Sequence, residues 1–175
     1  FLGGKLKLVL IGSYQHGGDF TISYNDGTTG QGEVENSGGV GGGIVVDGRA
    51  IIGLQGIAGE WGHNFLDDSG GACYCGKSGC VEKVISGPAL ENYYWKETGN
   101  KKPLKDIVAL AESKVDPAAQ KTMIRLVEFF GKGLSVVINI LDPDVIVIGG
   151  GVGNIDLLYD RGLDSIRANV FNNRL

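Results

Sequence analysis

The sequence predicts an α/β domain, and three observations carry that prediction. Residues 5–11 (KLKLVLI) alternate and then run apolar, as an edge or entering strand does. Residues 44–52 read as a β-hairpin. A long helical stretch beginning after Asp116 hands over, at Asp142-Pro143, to a buried strand over 144–148. Strand, helix and strand in alternation define the α/β class.

Taken in order, residues 12–38 show no helix period and form the least globular part of the chain. At Gly41 the character changes. Ile44-Val45-Val46 and Arg49-Ala50-Ile51-Ile52 flank Asp47-Gly48, a pair that tolerates the positive φ of a two-residue hairpin turn. Residues 56–79 are a glycine-rich loop, and residues 88–97 suit a short helix. Leu104, Ile107, Val108 and Ala111 repeat at i, i+3, i+4 and i+7. Asp116-Pro117 has the form of an N-cap followed by proline at the first helical position. Ala119, Met123, Leu126, Val127, Phe130, Leu134, Val137, Ile138 and Leu141 then keep a helical period, a helix expected to pack on the sheet. Gly149-Gly150-Gly151 follows the strand as a loop, with a further helix expected from Asp156. Tyr93, Tyr94, Trp95 and His16 are expected to be surface and packing residues.

A net charge of −4 gives no basic footprint for nucleic acid. No apolar run reaches the roughly 20 residues that span a bilayer, and residues 1–5 lack the features of a signal peptide. The expectation is a cytoplasmic enzyme with neither nucleic-acid nor membrane partners. The sequence holds 31 glycines, and they cluster, which points to sharp turns or close backbone approaches.

The chemistry concentrates in three places. Cys73, Cys75 and Cys80 lie within eight residues, with His63 ten residues upstream of the first. Three thiolates and an imidazole satisfy a tetrahedral zinc ion, and a closed site of that kind is structural. The plainer alternative is three buried thiols and a surface histidine. Glu60, His63 and Glu82 surround the same loop, and carboxylates with an imidazole suit the adjacent hydroxyls of a sugar. Taken singly, either glutamate is as easily a surface carboxylate. Glycine runs at residues 38–43 and 149–151 could bring backbone amides to phosphate oxygens. A dinucleotide fingerprint fits poorly, because its last glycine would fall at Asn154 and the first run opens a hairpin instead of a helix.

Over about residues 38–159 these motifs resemble the ROK family of bacterial sugar kinases and regulators. The resemblance rests on Gly59-Glu60-Trp61-Gly62-His63-Asn64 and on Cys73-Tyr74-Cys75-Gly76-Lys77-Ser78-Gly79-Cys80-Val81-Glu82. It also rests on Asn139-Ile140-Leu141-Asp142-Pro143-Asp144 leading into Gly149-Gly150-Gly151. The wording of the first two is most similar to the manno/fructokinase branch. The resemblance implies the actin-like ATPase (ribonuclease H-like) fold, mainly its C-terminal lobe, with a zinc-binding loop. Residues 1–37 would be a compressed or incomplete N-terminal lobe, and residues 38–175 the C-terminal lobe carrying the zinc loop 60–82. By the same resemblance Glu60, His63, Glu82 and Asn36 hold the sugar, and His63, Cys73, Cys75 and Cys80 bind zinc. Gly39, Gly41, Gly42 and Gly149, Gly150, Gly151 meet ATP, with Mg²⁺ at its phosphates.

The chain departs from the family at its start. The Asp-x-Gly-Gly-Thr opening is met by Phe1-Leu2-Gly3-Gly4-Lys5, and Gly38-Gly39 lacks the family's Thr. The family's catalytic base is the aspartate of an Asn-Asp pair, whereas Glu35-Asn36-Ser37 offers only the asparagine. The losses are abrupt while later motifs are intact, which favours joined segments of a longer chain over a naturally degenerate protein with no catalytic base. The activity implied is phosphorylation of a hexose by ATP, fructose to fructose 6-phosphate first, by a protein that pairs as a homodimer. Glucose or an N-acetylhexosamine as substrate, a sugar-responsive repressor and a non-catalytic sugar-binding module are the alternatives.

Overall fold

The computed structural model describes residues 6–12, 18–23, 29–34 and 39–172. A four-stranded sheet is ordered β5-β4-β1-β6, from β1 (Leu6–Gly12), β4 (Val40–Val46), β5 (Arg49–Ala50) and β6 (Val145–Gly149). β1 runs antiparallel to β4, with Leu6 opposite Val46 and Gly12 opposite Val40, and parallel to β6, with Lys7 opposite Val145. The first strand is therefore internal, not at an edge. It also ties the start of the chain into the same sheet as the hairpin.

Two further expectations are corrected. The stretch read as least globular contains β2 (Gly18–Ser23) and β3 (Thr29–Val34), a separate antiparallel pair. The first glycine run is not a loop ahead of a strand, because Val40 to Gly43 already belong to β4 and pair with β1. Glycine has no side chain to alternate, so a glycine strand gives no period for a pattern reading to find.

The helical half follows its sequence signals closely. α1 (Val81–Ile85) is a single short turn, followed by α2 (Gly87–Thr98) and α3 (Leu104–Glu112). α4 (Pro117–Leu141) starts where expected, with the Asp116 carboxylate accepting from the backbone N–H groups of Ala118 and Ala119 at 2.9 and 3.0 Å. It ends at Asp142, which takes left-handed backbone angles ahead of Pro143. α4 packs closely on other helices, above all α6 (Arg161–Asn169), and shares its core with Val40, Ile44, Ile146 and Ile148 of the sheet. Leu126 and Leu134 on α4, with Leu90, Ile107 and Leu158 from its neighbours, are almost wholly buried at the centre of the core. The segment after β6 is no open glycine loop: Gly150 to Gly153 form the short helix α5, and Asp156 to Leu158 a 3-10 turn before α6. Among the described residues no helix is long and apolar enough to cross a membrane.

Asp116 also fixes α2, since the hydroxyl of buried Tyr94 donates to its carboxylate at 2.6 Å. That bond, and those from Ala119 and Ala118, hold the Asp116 carboxyl below its ordinary value. Its contribution to stability is therefore present above the ordinary carboxylate range and is lost as pH falls through the lowered value. Asp116→Ala is expected to lower the melting temperature by about 2–4 °C at neutral pH, the usual scale for a lost N-cap. The difference from wild type should shrink in acid, and thermal scans at pH 7 and pH 3 check both points.

Candidate functional site: a cysteine–histidine knuckle beside a buried carboxylate

The site starts from an unusually close backbone contact. Residues 59–63 lie directly on β4, and a Cβ added to Gly62 would sit 1.6 Å from the carbonyl oxygen of Val40. Gly59, at φ +95°, approaches the backbone of Gly42 and Gly43 in the same way. Only glycine fits at either place. The buried Trp61 fills the space beside Gly42 and Gly133, and its indole N–H donates to the Gly41 carbonyl at 3.3 Å. The 3-10 turn formed by Trp61–His63 is thus pinned to the sheet, with Glu60 exposed at its start and His63 half-buried at its end.

From there the chain folds back on itself. Phe65 bridges to Cys80 and Ala72 to Ser78. Val81 N–H donates to Asn64 O at 2.9 Å, which draws His63 and Cys80 together. Cys73 N–H donates to Lys77 O, and Gly76 N–H donates back to Cys73 O, at 2.8 and 3.1 Å, so that residues 73–77 close a tight knuckle.

These turns gather one ligand atom each from His63, Cys73, Cys75 and Cys80 to within 4.8 Å of one another. Cys75 and Cys80 sulfurs are 3.6 Å apart, and Cys73 Sγ lies 3.7 Å from His63 Nδ1. Two sulfurs bound tetrahedrally at about 2.3 Å from one zinc ion stand about 3.8 Å apart. Donor set and spacing therefore both fit a tetrahedral soft cation. As free thiols the three differ: burial pushes Cys73 up to about 12 and raises Cys80. Exposed Cys75 is drawn down to about 7, first by the backbone N–H of Lys77.

Glu82 stands in the first turn of α1, two residues past Cys80, and only 4% of it is exposed. Its Oε1 accepts from the Cys73 thiol at 3.2 Å. Of the sequence-derived trio, His63 and the buried Glu82 thus meet at the knuckle, while Glu60 stands exposed at the start of the 3-10 turn. Of the glycines expected at the nucleotide, Gly41 and Gly42 lie within β4, and Gly39 stands just ahead of it. Gly149 ends β6, and Gly150 (φ +73°) and Gly151 open α5, with open space beside Gly151. Asn36 lies outside the described residues.

Two contributors escaped the sequence reading. Tyr74 bonds His63 through its hydroxyl, at 2.9 Å from Nε2. Arg125 of α4 donates to Ser69 Oγ at 2.7 Å while its guanidinium lies over the Tyr93 and Phe129 rings. It thereby ties the 3-10 turn Asp68–Gly70, capped by Asp67, to the long helix. The partners are 11 and 56 residues apart in sequence, so no local pattern signals either bond.

At the level of class, these parts make an α/β domain whose polar site is braced by a three-cysteine, one-histidine cluster. The chain belongs to the ROK family, whose model matches residues 34–174. It is 34% identical over 131 residues to an N-acetyl-D-glucosamine kinase of Pectobacterium carotovorum, covering 69% of this chain and 43% of that protein. It is 35% identical over 117 residues to an N-acetylmannosamine kinase of Yersinia pestis, covering 66% of this chain and 39% of the relative. Among solved structures, a ROK hexokinase from Thermus thermophilus aligns with a TM-score of 0.74 at 28% identity, over 95% of this chain and 48% of that one. The chain thus spans less than half the length of these relatives and shares the sugar-kinase, actin-like ATPase fold. These curated relatives act on N-acetylated hexosamines, not on the fructose that the motif wording suggested.

Proposed function

We propose that the chain is the C-terminal lobe, residues 38–175 with zinc loop 60–82, of a kinase that transfers the ATP γ-phosphoryl group to an N-acetylhexosamine. The observation that carries this reading is the buried Glu82 carboxylate against Cys73 Sγ. A cysteine that ligates a cation is a thiolate and has no hydrogen to give. The carboxylate then needs another donor, since a buried charge left unpaired is costly. A sugar hydroxyl supplies one, with Glu60 at the rim accepting from a second and His63 beside them.

The cation would be zinc, held by His63, Cys73, Cys75 and Cys80, and its contribution is structural, fixing the loop that carries Glu82. On the nucleotide side, Gly149, Gly150 and Gly151 lie at the carboxyl end of β6, where ligands collect in open α/β sheets. Gly39 leads into β4, and Gly41 and Gly42 support it from within the strand. Mg²⁺ would accompany the ATP phosphates. Transfer of this kind depends on positioning and on charge stabilisation. The proton acceptor would be the aspartate of the family's Asn-Asp pair, of which this sequence matches only the asparagine, at Asn36.

The preference for an N-acetylated sugar over fructose or glucose follows the two curated relatives. Full-length protein assayed for ADP release is expected to turn over N-acetylglucosamine or N-acetylmannosamine faster than glucose, mannose or fructose. Release with fructose alone would return the assignment to the fructokinase branch, and absence of release with every one of these sugars would leave a binding module. In the same assay Glu82→Ala is expected to lower kcat/KM by about 10- to 100-fold, the scale of a lost charged hydrogen bond. Unchanged kinetics would remove Glu82 from the sugar site.

A further inference from the structure

The Arg125 guanidinium lies over two rings, 4.9 Å from that of Tyr93 on α2 and 4.6 Å from that of Phe129 on α4. A planar cation stacked in this way is oriented before it makes any hydrogen bond. Its Nη2 donates to Ser69 Oγ at 2.7 Å, and the same hydroxyl donates onward to the Asp67 carboxylate. Cation, hydroxyl and anion thus form a chain in which each bond polarises the next. The Ser69 hydroxyl first, and the Arg125 charge after it, hold the Asp67 carboxyl below its ordinary value.

What this chain of bonds grips is the flank of the candidate site. The N–H groups of Leu66 and Asp67 both donate to Gly79 O, at 2.7 and 3.2 Å, and Gly79 N–H donates to Gly71 O at 2.9 Å. Residues 66–71 therefore wrap the residue immediately before Cys80. Gly70 also lies against α1, since a Cβ there would meet Val84 Cγ2 at 3.0 Å and Lys83 Cβ at 3.1 Å. α1 is only five residues long and carries Glu82 in its first turn. A helix that short does not hold itself, so its place comes from what it packs against. The cysteine–histidine cluster stands at its start, and the turn held by Arg125 supports its side. We propose that Arg125 is a positioning residue for Glu82, acting through Ser69 and residues 66–71 and through no ligand of the cluster. The proposal rests on the reading of Glu82 as a sugar ligand.

The test compares full-length wild type with Arg125→Met, Ser69→Ala and the two combined. Methionine keeps an apolar stem over the rings and removes the donor. Titration calorimetry reads binding of N-acetylglucosamine or N-acetylmannosamine, whichever the wild type holds more tightly. Each single substitution is expected to weaken that binding about tenfold, and the pair no further, because both remove the same bond. Affinity for ATP should be unchanged, whereas a general loosening would lower both affinities and add up in the double variant. Hydrogen exchange of the same proteins should quicken at residues 66–71 and 81–85 and stay as it was in β4. Undiminished sugar binding, additive losses, or unchanged exchange at residues 81–85 would each overturn the proposal. A wild type that binds neither sugar, with exchange at 81–85 quickened in the variants, would leave the brace standing and overturn the reading of the sugar site.

Discussion

Cys80→Ser is expected to abolish zinc binding and to lower stability by more than about 4 kcal/mol, the class of effect produced by losing a structural metal. Cys80 is fully buried, its sulfur lies 3.6 Å from that of Cys75, and its residue caps α1, the turn that carries Glu82. Loss of the ion would release the knuckle from that turn, and with it the buried carboxylate. For a domain of this length the loss corresponds to a fall in melting temperature of roughly 10 °C. Wild-type protein stripped by a strong chelator should melt where the variant does, and zinc should restore the wild type alone. Were the cysteines only packed thiols, the substitution would cost about 1–2 kcal/mol as an ordinary core change. Chelator would then do nothing. Calorimetry with and without zinc separates the two.

The second large effect is expected at Gly62. A methyl group there would fall 1.6 Å from the Val40 carbonyl oxygen, far inside contact distance. Neither backbone can yield easily, because Val40 is paired with Gly12 across the sheet and its side chain is in the core. On the other side, the indole of Trp61 is lodged between Gly42 and Gly133. Gly62→Ala must therefore push residues 59–63 off β4, at a cost of about 3 kcal/mol or more. Glu60 and His63 move with that segment. Protein that still folds should melt about 6–12 °C lower and lose sugar affinity more than ATP affinity. A melting temperature within about 2 °C of wild type would show that the contact is not as tight as described.

The helical half was legible because its signals are local. Asp116-Pro117 announced α4, Asp142-Pro143 closed it, and apolar residues at helical spacing marked the buried face. Phe129, absent from that stripe, is nevertheless buried, with Arg125 one turn earlier lying over its ring as helical i, i+4 spacing allows. The gathering of His63, Cys73, Cys75 and Cys80 was legible too, since such residues are rare and their spacing is short. What failed was whatever depended on backbone without side chains. A run of glycines reads the same whether it is loop, strand or helix, so the runs at residues 38–43 and 149–151 were both taken for loops. The internal place of β1 was hidden because its partners lie some 30 and 140 positions away. Tyr74 was given no role of its own by the sequence reading. Its contact with His63 appears only once the knuckle turns it back.

The proposed function depends on a cation held by three sulfurs and one nitrogen. Zinc K-edge absorption on purified full-length protein tests that directly. It should show one zinc per chain, with three sulfurs at about 2.3 Å and one nitrogen at about 2.0–2.1 Å. Protein without zinc, or an edge fitted only by nitrogen and oxygen neighbours, would contradict it.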